Sequence, residues 1–138
     1  MMFKMTRVQF EKYLLKFNNS EDKGAFFDRY YDRDAVFSHP PLGVFKGREE
    51  IVRYLNSGKN EGHDGVRETI RLREFISIEG KMAVEVDLEW NCFRDTDFLG
   101  TRKKGDIIHA GCAGFFTFKG SRIIHVELYV NQVSNRNP

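Results

Sequence analysis

Apolar residues recur at helical spacing over the first part of the chain and at every second position after Gly65. Phe10, Tyr13 or Leu14, and Phe17 share one face of a helix running from Arg7 to Asn18, with Thr6 as its N-cap. "NNSEDKG" breaks that helix, and "GAFFDRYY" reads as a second, short one. "DRDAVFSH" is a first strand, stopped by Pro40 and Pro41. In "KGREEIVRYLNSG", Gly47 opens a third helix, Ile51 and Leu55 stack four apart, and Gly58 stands where a C-cap glycine belongs.

Beyond the loop "NEGHDGV", four longer strands follow: "RETIRLREFISI", "KMAVEVDLEWNCF", "DIIHAGCAGFFTF" and "RIIHVELYVNQV". Glu79-Gly80 and Lys119-Gly120 mark hairpin turns. Helices first and antiparallel strands afterwards predict an α+β fold, with a sheet packed against helices on one face. Val84, Val86, Leu88 and Trp90 point one way, toward the helices, and Glu85, Asp87 and Glu89 the other. Ile124, Val126, Leu128 and Val130 likewise oppose His125, Glu127, Tyr129 and Asn131.

The chain has 138 residues, a length that one core can serve, so a single domain over 1–138 is expected. Thirteen phenylalanines suggest a core or cavity walled by rings. The net charge of +2 is spread without a basic block, which gives no case for nucleic acid or an anionic membrane. "TRKKGD" reads as a solvated hairpin tip, and no segment approaches the roughly 20 apolar residues of a membrane span. The N-terminal stretch is charged and amphipathic, unlike an export signal. Cys92 and Cys112 have no metal spacing, and free thiols in a reducing cytoplasm are expected. No glycine-rich phosphate loop and no GxSxG elbow occurs, so neither cofactor nor metal is expected.

"FFDRYYDRDAVFSHPPLGVFKGREEIVRYL" followed by "FFTFKGSRIIHVELYVN" resembles the nuclear transport factor 2-like superfamily, in its SnoaL-like polyketide cyclase and ketosteroid isomerase-like branch. The matching features are an acidic residue before "AVF", a proline turn, "KGREEI" opening the third helix, and a final hairpin of the F-x-F-x-G-x-x-I type. The resemblance implies a cone: a curved, mostly antiparallel sheet wrapped around three N-terminal helices, with an apolar pocket inside. It implies pairing into a homodimer through the outer sheet face, where Glu85, Asp87, His125, Glu127 and Tyr129 lie beside Phe115. It also implies that His39 occupies the place of the ketosteroid isomerase base, that Tyr13 matches an oxyanion donor, and that Gly114 stands where the second donor would be. His109 approximates a pocket histidine of scytalone dehydratase, although strand alternation turns it outward.

His39 and Tyr13 are therefore the candidate catalytic residues. An imidazole ordinarily titrates near pH 6.5 and can pass a proton at neutral pH; a turn residue is the plainer reading. Phe17, Phe37, Val86, Leu88, Trp90, Cys112, Phe116, Val126 and Leu128 are the expected ligand-contacting wall, with Trp90 at its rim. His63 reads as a solvated loop histidine, and Phe98 as a ring able to fold back as a lid. His125 and Glu127 pair on the outer face. No paired carboxylates fall on the inferred pocket face, which argues against an epoxide hydrolase mechanism. Two functions remain open: a cofactor-independent isomerase, dehydratase or aldol-type cyclase acting on a small apolar oxygenated molecule by proton transfer at His39, or a non-catalytic domain that binds a small molecule or dimerises.

Overall fold

The structure is a computed structural model and describes residues 3–40 and 42–136. Helices α1 (Arg7–Asn18), α2 (Lys23–Tyr30) and α3 (Arg48–Leu55) are combined with strands β1 (Tyr31–His39), β2 (Gly43–Lys46), β3 (Val66–Ile78), β4 (Lys81–Cys92), β5 (Ile107–Lys119) and β6 (Arg122–Arg136). The sheet order is β2-β1-β6-β5-β4-β3. Every neighbouring pair is antiparallel except β1 with β6, which is parallel. The fold is thus the expected α+β cone, with one parallel contact where the first strand closes against the last.

Local chemistry sets the element ends. The Thr6 hydroxyl accepts from Gln9 N–H while the Gln9 side chain accepts from Thr6 N–H, a reciprocal cap on α1. At the other end, Lys23 Nζ donates to the Phe17 and Ser20 carbonyls at 2.6 and 2.7 Å. This buried ammonium satisfies the Phe17 carbonyl of α1 and the Ser20 carbonyl just beyond it, and joins α1 to α2. α3 ends sooner than its glycine suggests: Asn56 is the C-cap, and Gly58 lies in the loop beyond. The short strand β2 was not foreseen; it forms because Gly43–Lys46 folds back on β1, pairing Gly43 with His39.

Bulges curve the sheet and change which residues point inward. In β3, Leu72 pairs with Val86 but Glu74 pairs with Glu85, so Arg73 is an extra residue. Before it, Glu68, Ile70 and Leu72 share the inner face with Trp90, Leu88 and Val86; after it, Ile76 and Ile78 point outward, 70% and 61% exposed. A second shift, between Thr117 and Phe118, brings Ile123 rather than Ile124 into the core. The interior is walled by rings: Phe10 stacks on Tyr13 and Phe75, and Phe26 meets Tyr13, Phe17 and Phe27.

Candidate active site

The concave face of the sheet and helix α1 enclose a cavity of about 60 Å³. Phe10, Tyr13, Leu14, Phe17, Phe27, Phe37, Val86, Leu88, Cys112, Phe116, Val126 and Leu128 are among its walls. The polar residues among its walls are Tyr13, Tyr31, His39, His63 and Glu68. Among the described residues, no lysine or arginine lines it.

His39 ends β1, where its carbonyl accepts from Leu42 N–H at 2.7 Å and closes the β1–β2 turn. Its ring is buried, and Nδ1 lies 2.7 Å from the Tyr54 hydroxyl. That hydroxyl has no other partner among the described residues, and donation of its proton to Nδ1, with the ring proton on Nε2, is the arrangement that leaves the fewest groups unmet. Nε2 is itself buried without a hydrogen-bond partner among the described residues. Burial, reinforced by the neighbouring His63, lowers the His39 pKa to about 4. His39 is thus a neutral donor at pH 7, not the readily titrating group its residue type suggests.

Glu68 supplies the charge. Its side chain is 10% exposed, and Oε2 accepts from Trp90 Nε1–H at 2.9 Å, across the β3–β4 ladder. His63 Nε2 lies 3.9 Å from the same oxygen. Oε1 accepts no hydrogen bond among the described residues. Glu68 and Leu55 also border a polar outer cleft between the α1–α2 turn and the α3–β3 loop, so Glu68 stands where the cavity meets the outside.

His63 is 1% exposed, not solvated as its glycine-rich loop suggests. Its Nδ1 lies 2.7 Å from the Tyr54 carbonyl, and Phe98 covers it at a ring distance of 5.0 Å. The loop is clasped from outside: Arg94 donates to Asp64 and to the Ser57 carbonyl, and the Thr96 hydroxyl donates to the Asp64 carbonyl. Arg102 Nε donates to the Phe98 carbonyl at 3.1 Å, so "TRKKGD" anchors Phe98 and is not wholly solvated.

The Tyr13 hydroxyl meets the Tyr31 hydroxyl at 2.7 Å. Two protons serve one mutual bond, which leaves one O–H free to donate. Burial holds both phenols well above their ordinary range, and the Glu68 charge adds to the effect on Tyr13. Cys112 faces the cavity, but burial pushes its thiol up to about 12, which leaves it inert.

Comparison with solved structures decides the fold. A protein described as a SnoaL-like polyketide cyclase from Jannaschia sp. CCS1 superposes with a TM-score of 0.68 at 12% identity, over 90% of this chain and 86% of that one. A ketosteroid isomerase-like protein from Catenulispora acidiphila, solved with trimethylamine, gives 0.66 at 10% identity, over 91% and 86%. A nuclear transport factor 2-like protein from Burkholderia xenovorans gives 0.67 at 13% identity, over 95% and 93%. The fold is nuclear transport factor 2-like. No protein-family model matches the chain, and no curated protein matches it in sequence.

Within the nuclear transport factor 2-like cone, the two candidate catalytic residues both line the cavity, as do Phe17, Phe37, Val86, Leu88, Cys112, Phe116, Val126 and Leu128. Trp90 does not; it is 1% exposed and sits behind Glu68 as its hydrogen-bond donor. Gly114 leaves the second oxyanion position without a side chain, and a Cβ there would come within 3.0 Å of Leu128. His109 faces Glu89 on the outer side, at 4.0 Å. His125 meets Glu127 there at 3.8 Å. Pro41 lies outside the described residues, so the turn after His39 is described only at Pro40 and Leu42. The sequence reading passed over Glu68, Tyr31 and Tyr54. Glu68 was detectable as an acidic residue in phase with Val66, Ile70 and Leu72, a phase that Glu74 shares in the sequence but leaves at the bulge. Tyr54 carried no signal, because its partners come from distant segments.

The depressed His39 pKa has a consequence for stability. Unfolded His39 takes up a proton near pH 6.5, whereas the folded ring stays neutral to about pH 4. The unfolded state therefore binds more protons between these values, and stability falls as pH drops through that window, by up to about 3 kcal/mol. Urea unfolding of the wild type and His39→Leu from pH 7 to pH 4 checks this: the variant lacks that part of the slope.

Proposed function

We propose that the cavity is the active site of a cofactor-independent enzyme that removes a proton beside a carbonyl group in a small, largely apolar oxygenated molecule. The observation that carries this reading is the buried, unpartnered Nε2 of His39, in a cavity that also holds the Glu68 carboxylate. A carbonyl oxygen accepts from Nε2–H, and the free O–H of the tyrosine pair is a second donor on the same wall system. Glu68 Oε1 takes the adjacent proton, and the enolate oxygen is held by donors in a site that excludes water. Returning the proton at another carbon makes an isomerase, losing a β-hydroxyl makes a dehydratase, and adding the enolate to a second carbonyl makes an aldol-type cyclase. Proton transfer is thereby assigned to Glu68, and His39 becomes the electrophilic partner. The cavity volume supports a reacting end of few atoms. A single lining carboxylate does not support the two-carboxylate epoxide hydrolase mechanism.

Exchange of α-protons tests the reading without knowledge of the natural substrate. Cyclopentanone and related small ketones, followed by proton NMR in D2O, lose α-hydrogen signal faster with the protein than with buffer alone. Glu68→Gln slows the exchange by about 10²- to 10⁴-fold. Exchange at the buffer rate across the ketone panel, or an unaffected Glu68→Gln variant, overturns the assignment.

A second reading rests on the same carboxylate. A carboxylate among aromatic rings, in a cavity that no lysine or arginine lines among the described residues, suits a small ammonium ion held by cation–π contacts, without catalysis, while Lys23 and Arg67 border only the outer cleft beside it. The trimethylamine complex of the ketosteroid isomerase-like neighbour supports it. Tight amine binding without ketone exchange favours this second function.

We further infer that the outer sheet face pairs with a second copy of the chain. Ile76, Ile78, Phe115 and Tyr129 are large, apolar and exposed there, and Phe115 and Ile76 lie in one cross-strand row with Ala83 and Glu127. Both cysteines are free, which supports a reducing cytoplasm as the location; among the described residues, no helix is long and apolar enough to cross a membrane. Sedimentation at micromolar concentration gives a dimer for the wild type and a monomer for Phe115→Glu; a wild-type monomer contradicts the pairing.

A further inference from the structure

Tyr54 touches both cavity histidines with different atoms. Its hydroxyl reaches His39 Nδ1 at 2.7 Å, and its backbone carbonyl reaches His63 Nδ1 at 2.7 Å. A carbonyl can only accept, so His63 must carry its proton on Nδ1. A hydroxyl can donate, and this one has no other acceptor among the described residues, so His39 carries its proton on Nε2. We propose that Tyr54 is the positioning residue of the site, and that it locks the two histidines in opposite tautomers through one side-chain and one backbone contact.

The consequences reach both working atoms. At His39 the remaining ring nitrogen is a buried, unpartnered N–H on a residue that lines the cavity, which calls for a ligand with an acceptor oxygen and rejects an ammonium ion there. At His63 the remaining ring nitrogen is left as an acceptor 3.9 Å from Glu68 Oε2, beside the carboxyl group but beyond direct hydrogen-bond reach. The donor and the base are thus referred to one residue on α3.

The surroundings are built to hold Tyr54 still. Phe45 of β2 stacks on its ring at 3.9 Å with planes 14° apart. His63 meets the ring edge-on at 5.0 Å. On the loop side, a Cβ at Gly62 would fall 2.1 Å from the Tyr54 carbonyl oxygen and 2.5 Å from its ring. Only a residue without a side chain lets the loop come close enough for His63 to reach that carbonyl. The unforeseen strand β2 has its purpose here, since it carries Phe45. Burial holds the Tyr54 phenol well above its ordinary range, so it keeps the proton it donates.

The inference rests on His39 being the donor of the proposed reaction, but its test needs no substrate. Long-range proton–nitrogen correlation spectra of the ¹⁵N-labelled protein at pH 7 report which ring nitrogens are protonated. His39 is expected to be protonated at Nε2 and His63 at Nδ1. Tyr54→Phe removes the hydroxyl and keeps the carbonyl. In it the His39 Nδ1 resonance moves to that of an acceptor with no donor, while the His63 resonances stay in place. A general loosening of the site would move both rings together. If Tyr54→Phe fails to fold, the wild type alone decides: a Tyr54 hydroxyl proton correlated with His39 Nδ1 across the hydrogen bond is expected. Protonated Nδ1 on wild-type His39, an unmoved Nδ1 resonance in the variant, or both rings moving together overturns the inference. An unmoved Nδ1 in the variant leaves the donor reading of His39 intact, whereas a failure of ketone exchange leaves the tautomers intact.

Discussion

A buried hydrogen-bonding nitrogen with nothing to bond costs about 1–3 kcal/mol. Among the described residues, Nε2 of His39 is such an atom, on a side chain that lines the largely apolar cavity. That unmet hydrogen bond organises the functional reading of the whole site. No polar atom of the described residues bonds it, which on our reading leaves the place to a ligand atom. The opposite nitrogen is occupied by Tyr54, so the free one is a donor, and its ligand is an acceptor. A carboxylate at the cavity mouth then gives the acceptor a neighbour that can remove a proton.

The curved sheet makes this arrangement possible. The bulge at Arg73 lets one strand contribute Glu68 to the interior and Ile76 to the exterior. The parallel contact of β1 with β6 sets His39 at the end of a strand that is covered on both sides of the sheet order. Clasps outside the cavity, Arg94 on Asp64 and Arg102 on the Phe98 carbonyl, hold the segments that seal His63. Among the described residues, the cavity itself keeps a single carboxylate.

Much of the fold was legible in the sequence. α1 and its Thr6 cap, the hairpin at Gly80, and the inward set Val84, Val86 and Leu88 follow directly from period and turn chemistry. Where reading failed, the cause was physical. A bulge shifts the strand period by one, so Ile124 was read inward where Ile123 is, and the even positions of β3 change sides after Leu72. His63 was read as solvated because its loop is rich in glycine; in fact Gly62 is there to let the loop approach Tyr54 closely. Trp90 was read as a rim residue because alternation gives a side chain's face but not its depth. His39 and Tyr13 were legible as cavity residues. Their roles were not, because a tautomer and a hydroxyl pair depend on Tyr54 and Tyr31, which no local pattern connects to them.

The central claim is that His39 presents a ring N–H to an acceptor oxygen in the cavity. Vibrational spectroscopy of a bound carbonyl reads that contact directly. With cyclopentanone held in the protein, the carbonyl stretch is expected to fall below its frequency in an apolar solvent, as a hydrogen bond weakens the C=O bond, and to return toward that frequency in His39→Leu. A bound ketone whose carbonyl stretch matches the apolar solvent, or whose shift survives His39→Leu, would contradict the account.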